Sequence, residues 1–511
     1  MVAPLPPPNP YGQAPAGQGQ PGQGQPGQGQ PGQGQPGQGQ PGQAQNAQAP
    51  AGPALPGQPP YGASPGAPGA WTPPVGTSPS VWRAAFLSAL ITVCAIATIG
   101  MVGFLGWRLG PVPLAVGLIF AILPVPVLIA CFLWLDRYEP APTWILAVSF
   151  LWGAGVATAG ALWVNRTFGD VFAAAGKPEG LVAVLVAPVI EEALKAAFPL
   201  LLFAFYRKAF TGIIDGVVYC GLSATGFAMV ENILYVGGYG FVEGAQWGPN
   251  TGVLIALTTF IVRVPLTGFA HPLFTAMVGL GLGYAARSPR RAVRVLAPLV
   301  GLLAAMTLHG AWNLMAMLAA SVDAYYILYG YVSVFVPIFF GMLGFVLWVR
   351  SWEGRLAERV LPVYTAAGWF SPPEVVALGT LGRRLSARAW ARRVAGDAGH
   401  SAMKSYQYAA TRLALLRDGL DRGLYWNRAD FEAALAEERR LLDEIDRYRR
   451  VFTGRDPLTP RAWWSAGTYH IQFPDGQVRP VAPPSLPVVP VPVPASWGPT
   501  PNPGQPGAAM P

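Results

Sequence analysis

The sequence predicts an all-α polytopic membrane protein with about eight transmembrane helices. Hydrophobic residues make up 52% of the 511-residue chain and charged residues only 12%, whereas soluble domains carry about 25% charged residues. Between residues 83 and 350, apolar stretches recur that each contain the roughly 20 residues needed to cross a hydrocarbon core of about 30 Å. The net charge of +9 comes mainly from arginines in loops and in the C-terminal part, which suits a membrane surface. No nucleic-acid-binding motif accompanies this charge, so we expect no nucleic-acid partner.

Residues 1–80 form a low-complexity arm. The pentapeptide Gly-Gln-Gly-Gln-Pro repeats five times between Gly17 and Pro41. Gly, Gln and Pro bury too little apolar surface to offset the loss of chain entropy on folding, so we expect a disordered tether with polyproline II character. Such an arm also suits docking of an unidentified cytoplasmic protein.

Eight apolar stretches within residues 83–350 predict the spans of the membrane domain. The region 252–286 is long for one helix and short for two, and it contains Arg263 and Pro265. We therefore interpret 252–263 as an interfacial segment that precedes a single span. The predicted spans are 84–106, 113–135, 143–164, 181–206, 214–236, 265–286, 295–319 and 326–349.

The Lys and Arg content of the loops predicts the orientation of the spans. Arg207 and Lys208 follow the fourth span, and four arginines lie between residues 287 and 294, after the sixth. The loops 237–251 and 320–325 contain no Lys or Arg. The positive-inside rule therefore places the two basic loops in the cytoplasm and the other two outside. We expect a multi-pass protein of the plasma membrane with both chain termini in the cytoplasm.

Two polar regions follow the membrane domain. Within 351–455, apolar and charged positions alternate at helical spacing over 402–420 and 429–451, which predicts a cytoplasmic helical region with a hairpin. From residue 456 onward the chain becomes Pro-rich, as in Pro483-Pro484, and predicts a disordered tail over 456–511. Like the N-terminal arm, this tail is a candidate docking segment for unidentified cytoplasmic proteins.

Polar residues interrupt four of the predicted spans. A charge at bilayer depth costs on the order of several kcal/mol, so such residues usually face a protein interior and serve a function. Glu and His are the residues that hydrolytic sites use as general acids, general bases and metal ligands. The interrupting residues are Glu191, Glu192 and Lys195 in the fourth span, Phe227, Glu231 and Asn232 in the fifth, His271 in the sixth, and His309 and Asn313 in the seventh.

The predicted depths of the carboxylates and imidazoles agree. Glu191 and Glu192 lie about ten residues, or ~15 Å, from the outer end of their helix at a rise of ~1.5 Å per residue, and His309 lies equally deep in its own. Glu231 and His271 lie about five and six residues, or ~8–9 Å, from the outer ends of their helices. All five groups fall in the outer half of the membrane, which predicts one site that opens to the extracytoplasmic side.

Helical spacing gives these candidates partners. Glu191 and Glu192 lie four and three residues before Lys195, so a charge-neutralising pair within the helix is the structural alternative to a catalytic role. The two glutamates point about 100° apart, so we expect only one of them to face the reaction, and the spacing leaves open which one. His309 and Asn313 share a helical face, on which the amide can hold the imidazole in one tautomer.

Taken together, the motifs resemble those of the PrsW family of intramembrane proteases, part of a wider group that includes the CAAX-processing and bacteriocin-processing-like membrane proteases. The order Glu-Glu-x-x-Lys, Phe-x-x-x-Glu-Asn, His and His-x-x-Trp-Asn is found here at 191–195, 227–232, 271 and 309–313. The Asp-Arg-Tyr-Glu-Pro turn at 136–140 also looks like the family's. The resemblance covers residues 83–350. It implies an intramembrane endopeptidase that hydrolyses membrane-anchored proteins, such as anti-sigma factors, near the outer half of the bilayer.

The resemblance is compatible with two mechanisms. In one, Glu231, His271 and His309 bind zinc while Glu191 or Glu192 activates the water, since three N or O ligands plus an open position suit catalytic zinc. In the other, a glutamate activates water without a metal, and histidine and asparagine stabilise the oxyanion. No His-Glu-x-x-His motif is present, so the zincin arrangement does not apply. The second mechanism is slightly favoured, because the wider group resembles glutamate proteases.

Two other classes of function stay open on the sequence. A non-catalytic scaffold or lipid-binding protein would use the polar cluster to hold its helices together or to bind a lipid head group. An ion-coupled carrier would use the intramembrane Glu and His residues as relays. Against the carrier, no internal repeat relates the two halves of the chain, whereas many carriers contain one.

Overall fold

The computed structural model describes residues 81–482, apart from residues 139, 179, 324, 368, 426–427, 454, 457–461, 466 and 474–475. The predicted N-terminal arm and the chain beyond residue 482 lie outside the described residues. Most of the described chain is helical, as the sequence predicts. The helices of the membrane region are α1 (Val81–Leu109), α2 (Pro111–Ile122), α3 (Val125–Leu135), α4 (Thr143–Leu151), α5 (Thr158–Ala174), α6 (Ala187–Phe205), α7 (Ile213–Asn232), α8 (Glu243–Ala245), α9 (Pro249–Ile261), α10 (Ala270–Ala286), α11 (Arg291–Ser321), α12 (Tyr325–Gly330) and α13 (Val336–Gly354).

These helices confirm the predicted class, a multi-pass all-α membrane protein. Among the described residues, seven helical segments are long and apolar enough to cross a membrane. Helix α6 is not among them because three charged residues interrupt its apolar sequence; counting it brings the total to about the predicted eight. In the region 252–286, whose number of spans the sequence left ambiguous, the structure has two helices, α9 and α10. The interfacial position of residues 252–263 stays a prediction. The seven segments are Leu87–Leu109, Pro111–Tyr138, Thr143–Ala174, Ile213–Ala245, Pro249–Ala286, Arg291–Ser321 and Tyr325–Gly354.

The exterior of the bundle is apolar, as a lipid-facing surface must be. Ile99, Val127 and Phe340 have exposed fractions of 71%, 64% and 62%. In water such large apolar side chains would mark a binding surface, but in a membrane protein they face hydrocarbon, which costs nothing. Glu192, Lys195 and His309 are directed instead toward the centre of the bundle, where they are buried.

Helix α7 is the central helix of the bundle and packs most extensively against α10. A Cβ atom on Gly216 would lie 2.0 Å from the carbonyl oxygen of Gly279, and one on Gly279 would lie 2.4 Å from the carbonyl oxygen of Gly216. Only glycine at both positions allows this backbone approach, as is common where membrane helices pack. The close contact fixes the register of α7 against α10, the helices that carry Glu231 and His271.

Stretches of π-helix interrupt the described helices, and three of them adjoin the polar residues. One precedes Glu191 in the fourth predicted span, one directly follows Asn232, and one contains Arg263. Each π-helical turn rotates the residues after it relative to an uninterrupted α-helix, and such turns occur frequently at functional sites. The π-helical stretches are Trp152–Ala157, Val182–Val186, Ile233–Val242, Val262–Leu266 and Tyr331–Phe335.

A helical region with its own core follows the membrane helices. Its longest helices pack against each other as a hairpin, and Arg449 Nε donates to Glu374 Oε1 at 2.6 Å inside it. Both members of this ion pair are buried, so removing either would leave an uncompensated charge. The helices are α14 (Leu356–Val360), α15 (Pro362–Ala366), α16 (Pro372–Gly379), α17 (Leu381–Asp421) and α18 (Arg428–Phe452).

The turn at 136–138 joins this helical region to the membrane helices. The backbone N–H of Leu381 donates to the Tyr138 hydroxyl at 3.2 Å, and Arg384 Nη1 donates to the Tyr138 carbonyl at 3.3 Å. Asp136 Oδ2 accepts from the backbone N–H of Ala141 at 2.8 Å and closes the turn. The motif that resembles the family's therefore has a structural role here, at the junction of two regions.

A small antiparallel sheet lies within the segment that the sequence assigns to the disordered tail. Strands β1 (Ala462–Ser465), β2 (Thr468–Gln472) and β3 (Val478–Val481) pair in the order β1-β2-β3. Gly467 and Gly476, with φ of 79° and 77°, occupy the turns between them, where a side chain would be strained. The boundary at residue 456 is therefore wrong for these strands, whose Thr, Tyr, Ile and Val residues favour extended backbone.

Candidate active site

The structure brings the predicted carboxylates and imidazoles of four helices into one cluster. Glu191 and Glu192 come from α6, Glu231 from α7, His271 from α10 and His309 from α11. His309 contacts both Glu191 and Glu192 directly, and His271 contacts Glu231 directly. Lys195 contacts Glu191, Glu192 and His271 and so connects these two groups. The contact distances are 2.8 to 3.8 Å. The five groups that the sequence predicts at similar depths in the membrane therefore lie close together in the fold.

Lys195 lies at the centre of the cluster and is fully buried. Its Nζ atom donates to Glu192 Oε1 at 2.9 Å and to Glu191 Oε2 at 3.3 Å. The same atom lies 3.0 Å from His271 Nδ1 and 4.0 Å from the centroid of the Phe227 ring. A single ammonium thus compensates two carboxylates on its own helix and contacts α7 and α10. The intrahelical pair that the spacing predicts is present, but it is part of a larger network.

Glu192 is saturated with hydrogen bonds. Besides Lys195, its Oε1 atom contacts His309 Nδ1 at 2.9 Å, and its Oε2 atom accepts from the Thr275 hydroxyl at 2.7 Å. The side chain has no exposed surface. Since an ionised carboxylate only accepts, His309 carries its proton on Nδ1 in this contact and directs Nε2 away from Glu192. Glu192 is therefore placed to orient His309 rather than to meet a substrate.

Unlike Glu192, Glu191 faces a cavity. It lines this cavity of the membrane region, which has a volume of about 610 Å³ and is also lined by His271 and His309. Its Oε2 atom lies 3.8 Å from His309 Nε2, and its Oε1 atom accepts from Asn165 Nδ2 at 3.2 Å. Glu192 is not among the cavity-lining residues. Of the two glutamates whose roles the spacing leaves open, Glu191 is the one that faces the cavity.

The third carboxylate, Glu231, is paired with a cation that the sequence did not assign to the site. Arg263 Nη2 donates to Glu231 Oε2 at 2.7 Å, and Arg263 Nε donates to Asn232 Oδ1 at 3.0 Å. The guanidinium stacks over the Tyr235 ring at 3.6 Å. Glu231 Oε2 also lies 2.8 Å from His271 Nε2. His271 is thus held between Glu231 on one nitrogen and Lys195 on the other.

Asn313 makes a different contact from the one that its spacing suggests. Its Nδ2 atom donates to the carbonyl oxygen of Ala183 at 2.7 Å, across to the π-helical stretch before α6. The imidazole of His309 is instead held by Glu192 and by the Phe274 ring, which stacks on it with a centroid separation of 5.2 Å. Asn313 still lines the cavity, so a supporting role for it in the site stays a prediction.

Three of these groups could together hold a metal ion. One ligand atom each from Glu191, His271 and His309 lies within 4.8 Å of the others. Two imidazoles and one carboxylate are a donor set of catalytic zinc sites, and the Glu192 contact leaves His309 Nε2 available as a ligand. The donor chemistry therefore fits zinc. The ligand set expected from the sequence contains Glu231 in place of Glu191, and it stays a prediction.

Reasoning from motifs missed Asn165, Arg263 and Thr275. An arginine inside an apolar stretch is itself a sign of function, so Arg263 could have been assigned to the site. Thr275 lies four residues after His271, on the same face of α10. Asn165 follows from no spacing rule, because α5 contributes no other residue to the polar contacts of the cluster.

Comparison with known proteins agrees with this site. Residues 141–342, which include all the predicted site residues, match the family described as "PrsW family intramembrane metalloprotease". A protein named Protease PrsW from Clostridioides difficile (strain 630) is 28% identical over 209 residues, which cover 39% of this chain and 79% of that protein. No solved structure matches the chain.

Proposed function

We propose that this chain is an intramembrane protease of the PrsW family, which residues 141–342 match, and that it hydrolyses membrane-anchored proteins with Glu191 as the group that activates water. The observation that carries this assignment is the difference between the two adjacent glutamates. Glu191 faces the cavity, whereas Glu192 has both carboxylate oxygens occupied by Lys195, His309 and Thr275. A general base must reach the water whose proton it accepts, and only Glu191 has that access.

The geometry gives the attacking water two acceptors. In the tautomer that donates from Nδ1 to Glu192, His309 has an acceptor at Nε2, 3.8 Å from Glu191 Oε2, so one water in the cavity can donate to both atoms. As the water oxygen attacks the carbonyl carbon, its proton moves to Glu191. When the C–N bond breaks, Glu191 returns that proton to the leaving amine. Water is consumed, and one amine and one carboxylate are formed.

The cations of the cluster hold the charges in place during this reaction. Lys195 stabilises the ionised forms of Glu191 and Glu192, and it limits how far their carboxylates move. Arg263 also lines the cavity, and its guanidinium N–H groups that do not bond to Glu231 or Asn232 can donate to a bound carbonyl oxygen. Donors that are already oriented stabilise the developing oxyanion without reorganisation.

The cavity also suits the proposed substrate class. Its lining combines apolar side chains, such as Met101, Leu162, Leu234 and Val262, with the polar groups of Glu191, His271 and His309. An apolar cavity of this kind admits a membrane-embedded segment, with water reaching only the polar end. The positive-inside rule places this end in the outer half of the plasma membrane, with both termini cytoplasmic. Membrane-anchored proteins such as anti-sigma factors are therefore the proposed substrates.

A metal-assisted version of the reaction is the second candidate. It is favoured by the convergence of Glu191, His271 and His309 and by the "metalloprotease" in the family's description. When bound to these three residues, a zinc ion would supply Lewis acidity to the peptide carbonyl and lower the pKa of a bound water. Lys195 already contacts two of the three residues with a positive charge, and for this reason the metal-free version is preferred.

Removing metal ions is expected to leave cleavage within about twofold of the untreated rate, because Lys195 rather than a metal compensates the carboxylates. The measurement is the rate of cleavage by the purified full-length protein before and after treatment with a chelator, together with its metal content by mass spectrometry. Loss of activity that is restored by zinc, with about one zinc per chain, would favour the metal-assisted version.

The proposed function as a whole is tested in cells. Membrane fractions with equal amounts of the native chain or of Glu191→Gln are compared for the extracytoplasmic protein fragments that each releases. Fragments that depend on Glu191 identify both the activity and the substrate. Identical fragments from the two cultures would refute Glu191 as the base, and if Glu192→Gln also released the same fragments, they would favour the scaffold or the carrier.

Asn165→Ala is expected to lower kcat by about 10- to 100-fold, the usual cost of one hydrogen bond to a charged group. Asn165 orients Glu191 through Nδ2, while its Oδ1 atom is buried and has no hydrogen-bond partner among the described residues. The control is Thr167→Ala on the same helix, since the Thr167 hydroxyl is exposed and bonds only to its own helix. Equal kinetics for the two variants would contradict the role of Asn165.

A further inference from the structure

A second large cavity lies at the opposite end of the bundle, where the basic loops meet the helical hairpin. Its volume is about 700 Å³, and it is independent of the protease site. The end of α6, the end of α10 and the α17–α18 hairpin enclose it. We call it the basic cavity after the five cations that line it, which are Arg207, Lys208, Arg287, Arg412 and Arg440.

The cations of the basic cavity are only partly compensated. The lining contains three carboxylates, Asp418, Asp430 and Glu437. Asp418 Oδ2 is shared between Arg287 at 2.5 Å and Arg422 at 2.6 Å. Likewise, Glu437 accepts from both Arg412 and Arg440. Each of these two carboxylates therefore serves two cations, and the lining keeps an excess of positive charge.

Three donors have no anionic acceptor within the described part of the chain. Arg207 Nη2 donates only to carbonyl oxygens, those of Ala286 at 2.6 Å and Ser288 at 3.3 Å. Lys208 is exposed and forms no ion pair there. Arg287 Nη1 is buried and has no hydrogen-bond partner among the described residues. A buried guanidinium N–H without an acceptor is costly, so these donors favour an anionic ligand.

The positive charges near Arg207 also favour an anionic ligand. Burial, and next the positive charge of Arg294, lower the pKa of the Arg207 guanidinium. Cations that crowd one another in this way are stabilised when an anion binds between them. Phosphate oxygens are the usual ligands of such arginine clusters, because a guanidinium matches their geometry.

The geometry points to the phosphate of an anionic phospholipid headgroup as the ligand of the basic cavity. The cavity lies where two spans end, which is the depth of headgroups in a bilayer. On the outside of these same ends, Phe205 and Tyr284 are 85% and 60% exposed, and such aromatic side chains favour the membrane interface. Basic pockets between membrane helices bind anionic headgroups in this way. Free phosphate would form the same hydrogen bonds with the cations, but its binding would not explain why the cavity lies at the membrane interface.

The test is lipid binding to the purified full-length protein, measured by native mass spectrometry during titration with phosphatidylglycerol or with phosphatidylcholine. The native chain is expected to bind phosphatidylglycerol about tenfold more tightly than phosphatidylcholine. Lys208→Gln is expected to weaken phosphatidylglycerol binding about fivefold, as one cation near a membrane surface typically contributes. Because Lys208 is exposed and forms no ion pair within the described residues, this variant has no structural reason to misfold.

The matched controls are Arg290→Gln and Arg355→Gln, which remove one positive charge each from exposed positions outside the cavity. Unchanged binding in these controls, together with loss in Lys208→Gln, supports the site. Equal affinity for the two lipids, or equal loss in Lys208→Gln and the controls, would overturn it. A third arm adds inorganic phosphate without lipid: if phosphate protects the native chain against heat and phosphatidylglycerol does not, the lipid is excluded as the ligand.

Discussion

Glu191→Gln is expected to reduce the rate of peptide-bond cleavage by about 10²- to 10⁴-fold, the contribution of a general base, while leaving the protein folded. Glutamine keeps the size of the side chain and its contact with Asn165, but it cannot accept the proton of the attacking water. Burying a neutral amide near Lys195 also costs less than burying a carboxylate. The melting temperature in detergent is therefore expected to change little. The measurement is the cleavage rate of a fluorogenic membrane peptide, in parallel with thermal unfolding.

Two further variants make this result specific. Glu243→Gln alters an exposed carboxylate on α8, outside the site, and is expected to leave cleavage unchanged. Glu192→Gln is also expected to lower activity, because His309 loses the anion that orients it. In this variant the melting temperature should fall as well, since Lys195 loses its closest partner. A fully active Glu191→Gln variant would refute the assignment of the base to Glu191.

Lys195→Met is expected to destabilise the membrane region by about 3–5 kcal/mol, the typical cost of removing one member of a buried ion pair. The substitution leaves Glu191 and Glu192 as adjacent carboxylates, with exposed fractions of 7% and 0%, in an apolar bundle without their central cation. It also removes the contact between α6 and His271. The measurement is the melting temperature of the purified protein and its yield from membranes.

Lys177→Met is the matched control for this prediction. Lys177 is an exposed lysine in the loop after α5 and forms no ion pair within the described residues. The Lys177→Met variant should therefore have the same melting temperature as the native protein. If Lys195→Met also melted at the native temperature, the network around Lys195 would contribute nothing to stability, and the two glutamates would be uncharged in the folded protein.

In the proposed mechanism, the orienting groups and the reacting groups lie in separate layers of the site. Glu192, Thr275 and Lys195 form a buried layer that holds His309 and Glu191, and the cavity lies on the other side of those two side chains. A site built in this way keeps its geometry whether or not a substrate is bound. The same separation explains why two adjacent glutamates, equivalent in the sequence, differ in their expected effects on activity and on stability.

The amino-acid sequence by itself determined the membrane class, the approximate number of spans and the carboxylates and imidazoles that are candidates for the site. Apolar length and the cost of burying charge act locally, so Glu191, Glu231, His271 and His309 are recognisable as candidate functional residues without knowledge of the fold. The helical periodicity of 402–420 and 429–451 likewise indicated the hairpin that α17 and α18 form.

Only the tertiary structure decided which side chains meet. Helical spacing put Glu191 and Glu192 about 100° apart, but the packing of α5, α10 and α11 around α6 determined which one faces the cavity. The partners Asn165, Arg263 and Thr275, and the basic cavity, depend on contacts between residues far apart in the chain. Such contacts follow from how the helices pack, including the close approach of Gly216 and Gly279, and the pattern within one helix carries no information about its neighbours.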